Sequence, residues 1–599
     1  MRMFVHFVVT VMIIMIIIAT SSCHAFAQSD QPRPSGLPSD RDVVAFSNRA
    51  EGEMLSGLTD ARPVMEGYFQ RFVPKAKVGY ALDMDRYVLG RFRWGNGPTV
   101  EDLLNYQSMA GENDVERSAS DQRLLEGLLQ IMVPDWKQLR PERYEYKFVK
   151  RDFLGAVRCL VYDVKALNSE DSGFVGRVYL EDRSWNIVRF TGINSNVDRL
   201  FSTLRCENSR FRIDSWRVNV AKNRWAPSYA YVEEVPPLDS PEMPVVKGQI
   251  RFWGYDRTDN QQQQQFTDVL LNESSTTVGG RKRQPPSPQQ SQRLFEDQAE
   301  ENVLARLHQA RFLGAPGDVE KMLDQVVTNL IVTNKLVLGE PVHCRVLLTT
   351  PLEAFTVGNT IVISRGLIDV LPSESAIALV LAHQVAHNIL GHRRVDTKLA
   401  FADVLRITDA ELLAKLRFRH SASEEAAADA KAMEILAQSP YKDKASDGGL
   451  FIEALQARVK QLSNLIQPHF GEHVADAKGV VRNNDMLRTT PVFDEELPDQ
   501  VAALPLGSKL LVNPWNGQIE LVRSEPLAAL ALRERAELAV TPFMPFLDYL
   551  AAKSNLPKQP TVAERSTVPK PSNTIMQRPT RPAGSVVTRS VPPVKKRPS

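Results

Sequence analysis

Two histidines with the spacing of metal ligands lie in the stretch LAHQVAHNILGH, residues 381–392. His383 and His387 are four residues apart, so on an α-helix they would lie on one face, about one turn from each other. That spacing allows two imidazoles to bind one tetrahedral zinc ion. A buried pair of histidines with ordinary hydrogen bonds is the alternative interpretation, and a third ligand is needed to decide between them.

The residues around the histidines predict a buried helix over 373–392. Ser373, after Pro372, is a good N-cap, and the segment that follows is apolar through Leu381. A helix of this kind would present both imidazoles inside the protein, where a metal site is shielded from water.

A second predicted helix, SASEEAAADAKAMEIL over 421–436, can supply the third ligand. Glu425 would bind the metal, and Asp429, four residues later, would accept the other ring N–H of a ligating histidine and fix its tautomer. Alternatively, Glu424, Glu425 and Asp429 form a solvated face. The run of alanines at 426–428 favours close helix packing instead.

In these two helices the sequence resembles the M48 zinc metallopeptidases, the family of CAAX prenyl proteases and of periplasmic quality-control proteases. The family motifs H-E-x-x-H and E-x-x-A-D read here as His383-Gln384-Val385-Ala386-His387 and Glu425-Ala426-Ala427-Ala428-Asp429. Residues 353–361, the Gly366-Leu367 pair and His392 also resemble family positions, and the likeness spans roughly 300–480. The resemblance implies a zincin-like domain that binds Zn²⁺ through His383, His387 and Glu425, with Asp429 behind them.

Gln384 departs from the family motif at the general-base position. The glutamate of H-E-x-x-H enzymes takes a proton from the attacking water and passes it to the leaving amine. A neutral amide cannot accept that proton. Because general-base catalysis contributes about 10²–10⁴ in rate, we expect peptide hydrolysis to be impaired or lost while zinc binding is kept. Glu353 or Glu424 could replace the base only from positions that do not match the family's base.

Three hypotheses for function remain open at this stage. The first is an M48 homologue that keeps zinc and binds chains without cutting them, and the second is a slow but active metalloendopeptidase in envelope quality control. The third assigns function to the β-rich half, as a carrier of apolar ligands, with the M48 domain as scaffold. The expected partner is a polypeptide substrate or partner protein in the envelope, with peripheral membrane contact as a further expectation. Nothing in the net charge of +2 favours nucleic acid.

The start of the chain predicts export. Arg2 precedes an apolar run at 4–20, and Ala25-Phe26-Ala27 follows, which is the order of a secretory signal peptide cleaved after residue 27. A lipoprotein attached at Cys23 is the less favoured alternative, because Thr20 lies where such signals carry an aliphatic residue. In an oxidising compartment Cys159 and Cys206 could pair, or both could stay as thiols.

The pattern along the chain predicts an α+β protein of several domains. An antiparallel β-rich domain at 45–255, with one solvated face, precedes a mainly helical M48 domain with a small edge sheet at 301–552. Polar, Pro-rich and Gln-rich segments predict a linker at 28–44, a second linker at 256–300 and a disordered basic tail at 553–599. Seven aromatic residues of the β-rich domain are interpreted as core residues or, alternatively, as a groove for an apolar ligand: Tyr179, Trp185, Phe190, Trp216, Trp225, Tyr229 and Tyr231.

Other histidines are given less weight. His420 lies just before the second helix and could reach the site, whereas His469 and His473 are four residues apart without an acidic helix of matching pattern nearby. We expect all three to be surface residues.

Overall fold

The structure is a computed structural model of the full chain. It describes residues 35–59, 61–75, 79–94, 99–104, 143–167, 173–194, 210–236, 243–255, 287–338, 340–371, 373–392, 420–442 and 459–466, with shorter stretches between 121 and 132 and between 408 and 418, and at 455, 510–512, 519–521 and 547–549. The predicted signal peptide, the tail at 553–599, Cys206, His469 and His473 lie outside these residues.

The N-terminal half is a large antiparallel sheet preceded by helix α1, Asp40–Gly57. Its ten strands are β1 Val64–Lys75, β2 Gly79–Arg93, β3 Thr99–Leu103, β4 Tyr144–Leu154, β5 Val157–Ala166, β6 Phe174–Glu181, β7 Ile187–Asn194, β8 Arg210–Ala221, β9 Arg224–Val235 and β10 Val245–Trp253. The strand order is β3-β2-β1-β10-β9-β8-β7-β6-β5-β4. The last strand therefore pairs with the first, and β6–β7 and β8–β9 are antiparallel neighbours.

The C-terminal half is mainly helical, as expected from the return of helical periodicity. Its elements are α2 Pro288–Gln309, α3 Asp318–Thr333, β11 His343–Leu347, β12 Ala354–Val357, β13 Thr360–Ser364, α4 Arg365–Val370, α5 Glu374–Leu390, α6 Ala422–Ala437, α7 Ser463–Ile466, β14 Leu510–Val512 and β15 Ile519–Leu521. The large antiparallel sheet followed by helices with a small mixed sheet confirms the predicted α+β class. Strands β14 and β15 pair with each other in antiparallel fashion.

The small sheet has the order β11-β13-β12. Strands β11 and β13 are parallel, whereas β12 is antiparallel to β13 and forms the edge of the sheet. This edge strand packs beside α5, the helix that carries the two histidines.

The large sheet is covered on both faces. Val64 and Tyr68 of β1 belong to a hydrophobic core shared with the helical half, whereas Met65 and Phe69 belong to a second core shared with α1. The expectation of one solvated face is therefore wrong for this part of the sheet. Glu66 and Asp85, which alternation would assign to water, are 1% and 2% exposed because the helical half covers them.

The aromatic residues of the sheet are packed rather than open. Of the seven named above, six are buried, and Trp185 is half-buried. Arg189 illustrates the packing, since its guanidinium lies 4.3 Å from the centre of the Trp216 ring and is paired with Asp214. Cys159 is a buried free thiol. Within the described residues, no helix is long and apolar enough to cross a membrane.

Gly366 at the start of α4 provides a test of this packing. A Cβ there would lie 1.7 Å from the Thr350 carbonyl oxygen, whereas a Cβ at Gly52 of α1 would have no atom within 4 Å. We expect Gly366→Ala to lower the free energy of unfolding by about 1–3 kcal/mol through overpacking. Gly52→Ala should instead raise it by about 0.5–1 kcal/mol, because alanine favours the helix. Urea denaturation followed by circular dichroism measures both, and equal effects would contradict the packing at Gly366.

Candidate metal centre

Helix α5 is defined at both ends by its sequence. The Ser373 hydroxyl accepts a hydrogen bond from the Ala376 amide at 3.3 Å, as predicted for the N-cap. Gly391 ends the helix with φ of 71°, a left-handed conformation that glycine adopts readily. The turn brings His392 back toward the helix, and its amide donates to the His387 carbonyl at 3.0 Å.

Helix α6 also begins where the sequence predicts. Ser421 and Glu424 form a capping box, in which the Glu424 carboxylate accepts from the Ser421 amide at 2.8 Å. Ala428 is buried against the protein, but Ala426 and Ala427 are exposed, so only one of the three alanines serves close packing. Glu425 is buried on the face that meets α5.

The side chains of His383, His387 and Glu425 converge between the two helices. The Nε2 atoms of the histidines are 3.0 Å apart. The Glu425 carboxylate lies 3.4 Å from Nε2 of His383 and 3.9 Å from Nε2 of His387. All three residues are buried, and within the described residues they form the one group that could hold a metal ion.

The donor set fits zinc. In a tetrahedral site with zinc–nitrogen bonds of about 2.0–2.1 Å, neighbouring ligand atoms are roughly 3.3 Å apart. The three ligand atoms here are separated by similar distances. Two imidazoles and a carboxylate are also ligands that zinc takes in catalytic sites.

Each histidine has a partner for its other ring nitrogen. Nδ1 of His383 is 2.8 Å from the Asp429 carboxylate, in the position expected for an orienting residue. Nδ1 of His387 is 3.0 Å from Nδ1 of His392, so a second imidazole orients the second histidine. In both arrangements the Nε2 atom lies on the side of Glu425.

The electrostatics of the site favour a neutral His387. Burial, followed by the nearby His383 and His420 rings, lowers the pKa of His387 to about 2, and the Glu425 carboxylate opposes this shift only in part. A neutral imidazole is the form that binds a metal.

Gln384 lies beside the converging ligands, against the edge strand. Its side chain is 4% exposed, and its amide nitrogen lies 3.5 Å from the Ala354 carbonyl oxygen of β12. The amide can donate a hydrogen bond to that carbonyl, which a carboxylate could not do.

The expectation that His420 is a surface residue is wrong. Its ring stacks on that of His387, with the centroids 3.9 Å apart and an angle of 14° between the planes. Near it, Phe418 stacks on Phe355 of β12 at 4.7 Å. The residues before α6 therefore cover part of the centre. The helix begins only after Ser421, so helical periodicity does not predict where the side chains before it point. The position of His420, five residues before Glu425 of the second motif, is the sequence signal that it could contact the centre.

Two other glutamates, Glu424 and Glu353, are candidates for the missing base. Glu424 accepts from the Ser421 amide and hydroxyl at 2.8 and 2.7 Å, which ties it to the helix cap. Glu353 is 1% exposed, and its charge acts on Tyr87 of the large sheet. Glu424 is thus engaged at its helix cap, and Glu353 lies close enough to the large sheet to influence Tyr87.

Comparison with known proteins agrees with this geometry. Residues 318–469 match peptidase family M48. The matched segment, hereafter the M48 region, contains both motif helices and the small sheet. Comparison with curated proteins gave no match.

Three solved structures match about a third of the chain. A LolA superfamily protein from Nitrosomonas europaea is 7% identical, with 36% of this chain and 94% of that chain covered and a TM-score of 0.16. A domain assigned to outer membrane lipoprotein sorting from Vibrio parahaemolyticus is 9% identical, with 38% and 99% covered and a TM-score of 0.19. A DUF1329 family protein from Desulfovibrio piger is 7% identical, with 36% and 94% covered and a TM-score of 0.18.

The contact between Asp429 and His383 predicts a loss of metal affinity on mutation. Asp429→Asn should weaken zinc binding about 10–100-fold, because the amide no longer fixes the His383 ring as a carboxylate does. Glu434→Gln is the matched control, since Glu434 lies on the same helix, is 64% exposed and pairs with Lys431. Competition with a chromophoric zinc chelator measures both. Equal affinities for the two variants would argue against an orienting role.

Proposed function

We propose that the protein is an exported M48-type zinc protein with impaired or lost peptide hydrolysis, which binds polypeptide along the edge strand β12 beside the metal centre, hereafter the cleft. The observation that carries this proposal is the neutral amide of Gln384 beside an otherwise complete set of His383, His387 and Glu425. The family match to residues 318–469 supports the zinc assignment.

The cleft retains groups that suit an extended chain. Strand β12 is one edge of its sheet and packs beside α5, the helix that carries the histidines. An extended polypeptide can pair with such an edge through main-chain hydrogen bonds. Zinc, when bound to the three ligands, supplies Lewis acidity to a carbonyl group of that polypeptide.

The protein's own residues account for binding without efficient hydrolysis. Gln384 can donate a hydrogen bond but cannot take a proton from water. Glu424 is bound to its helix cap, and Glu353 does not match the base position of the family motif. Export rests on the signal-like sequence at 1–27.

Metal content tests the zinc site directly. We expect about one zinc per chain in the purified mature protein, because the three ligands are preorganised by two helices. His387→Ala should remove it, whereas His343→Ala should not, since His343 is 65% exposed and distant in sequence from the motif. Native mass spectrometry with elemental analysis gives the stoichiometry. Absence of zinc from the wild-type protein would overturn the proposal.

Restoring the carboxylate tests the role of Gln384. Gln384→Glu should raise hydrolysis of fluorescein-labelled casein by about 10²–10⁴ over the wild-type rate, which is the usual contribution of a general base. Gln325→Glu is the control, as it makes the same chemical change on an exposed position of α3. The gain should vanish when His387→Ala is added. A wild-type protein already as active as the Gln384→Glu variant would show that another group acts as base.

A further inference from the structure

The large sheet presents two buried carboxylates to the M48 region. Glu66 of β1 and Asp85 of β2 are 1% and 2% exposed, on the face that the helical half covers. Burying a carboxylate is costly unless hydrogen-bond donors surround it. In both cases most of the donors come from the M48 region, far along the chain.

Glu66 holds Thr350 through two hydrogen bonds. One carboxylate oxygen accepts from the Thr350 amide at 2.6 Å, and the other accepts from the Thr350 hydroxyl at 2.7 Å. The Tyr87 hydroxyl of the sheet donates to the same carboxylate at 2.9 Å. Thr350 is therefore fixed by a residue that precedes it by 284 positions.

Asp85 binds a second segment of the M48 region, which contacts the residues that follow Thr350. Its carboxylate accepts from the amides of Asn464 and Leu465 at 2.9 and 2.7 Å. The Leu465 carbonyl in turn accepts from the Leu352 amide at 2.8 Å. The loop from Thr350 to Leu352 is therefore fixed at both ends. Glu66 of the sheet binds Thr350 directly, and Asp85 of the sheet binds Leu465, which in turn binds Leu352.

This loop leads directly into the edge strand. Glu353 follows Leu352, and its carbonyl accepts from the Ser364 amide at 2.8 Å. Ala354 begins β12 and carries the carbonyl that lies 3.5 Å from the Gln384 amide. The position of Thr350 consequently sets where the edge strand lies relative to the zinc ligands.

We propose that Glu66 is a positioning residue of the zinc cleft. Acting from the N-terminal sheet through Thr350, it fixes the edge strand β12, along which an extended polypeptide is bound. The binding of polypeptide rests on the function proposed above, whereas the control of the strand by Glu66 does not. The large sheet therefore contributes a residue that positions one wall of the cleft, and the two halves of the protein act together.

Hydrogen exchange tests the control of the strand in the full mature chain, with metal content measured beforehand. Glu66→Gln and Thr350→Val each remove one of the two bonds, and we expect amide exchange over 351–357 to become at least tenfold faster. Thr350→Ser keeps both donors and should restore wild-type exchange. Glu145→Gln, a 48% exposed position on β4, is the matched control. Zinc content should stay the same in all four variants, because the ligands lie on α5 and α6.

Two results would overturn the proposal. One is unchanged exchange over 351–357 in Glu66→Gln. The other is an equal increase across 351–357, α3 and α5, because a uniform increase reports global destabilisation.

Kinetics in the Gln384→Glu background give a second measurement. Adding Glu66→Gln should raise KM for labelled casein while kcat stays unchanged, since a displaced strand weakens binding before and during the reaction alike. A fall in kcat with unchanged KM would contradict positioning of the bound chain. If Gln384→Glu hydrolyses no casein, the proposed function fails, and hydrogen exchange still decides the role of Glu66.

Discussion

The packing of α5 against α6 is the constraint on which the centre depends. Neither helix holds three ligands, since the two histidines come from one and Glu425 from the other. The centre exists only while the helices stay at a distance that brings these atoms within about one zinc coordination sphere. The caps at Ser373 and Ser421 fix where each helix begins, and Gly391 fixes where α5 ends. Local sequence thus controls the register of a site formed by long-range packing.

The contrast between local helix signals and long-range packing explains which features could be predicted from the sequence. The two capped helices and the pairs with i, i+4 spacing, His383 with His387 and Glu425 with Asp429, follow from residues within a few turns of one another. The proximity of the two pairs is expected only from the resemblance to the M48 motifs. The stacking of His420 does not follow, because it depends on a non-helical segment whose path has no periodicity.

The sheet illustrates the same limit. Alternation predicts its strands and hairpins, yet alternation cannot separate a polar residue facing water from one facing a covering domain. Glu66 and Asp85 look like surface residues in the sequence and are buried in the fold, because their partners lie hundreds of positions away. Only the structure shows that these two carboxylates lie at an internal contact.

The hydrogen bonds of Glu66 and Asp85 also bear on how the chain acquires its fold. Bonds across 284 and 380 residues cannot form until the C-terminal half is present. During synthesis, which begins at the N-terminus, the strands of the sheet would be complete first. Glu66, Asp85 and the apolar surface around them would then still be exposed to water. Contacts of such wide sequence separation make folding slow. Maturation should therefore end with docking of the later half, and a chain truncated before residue 350 should be a target for proteolysis and aggregation.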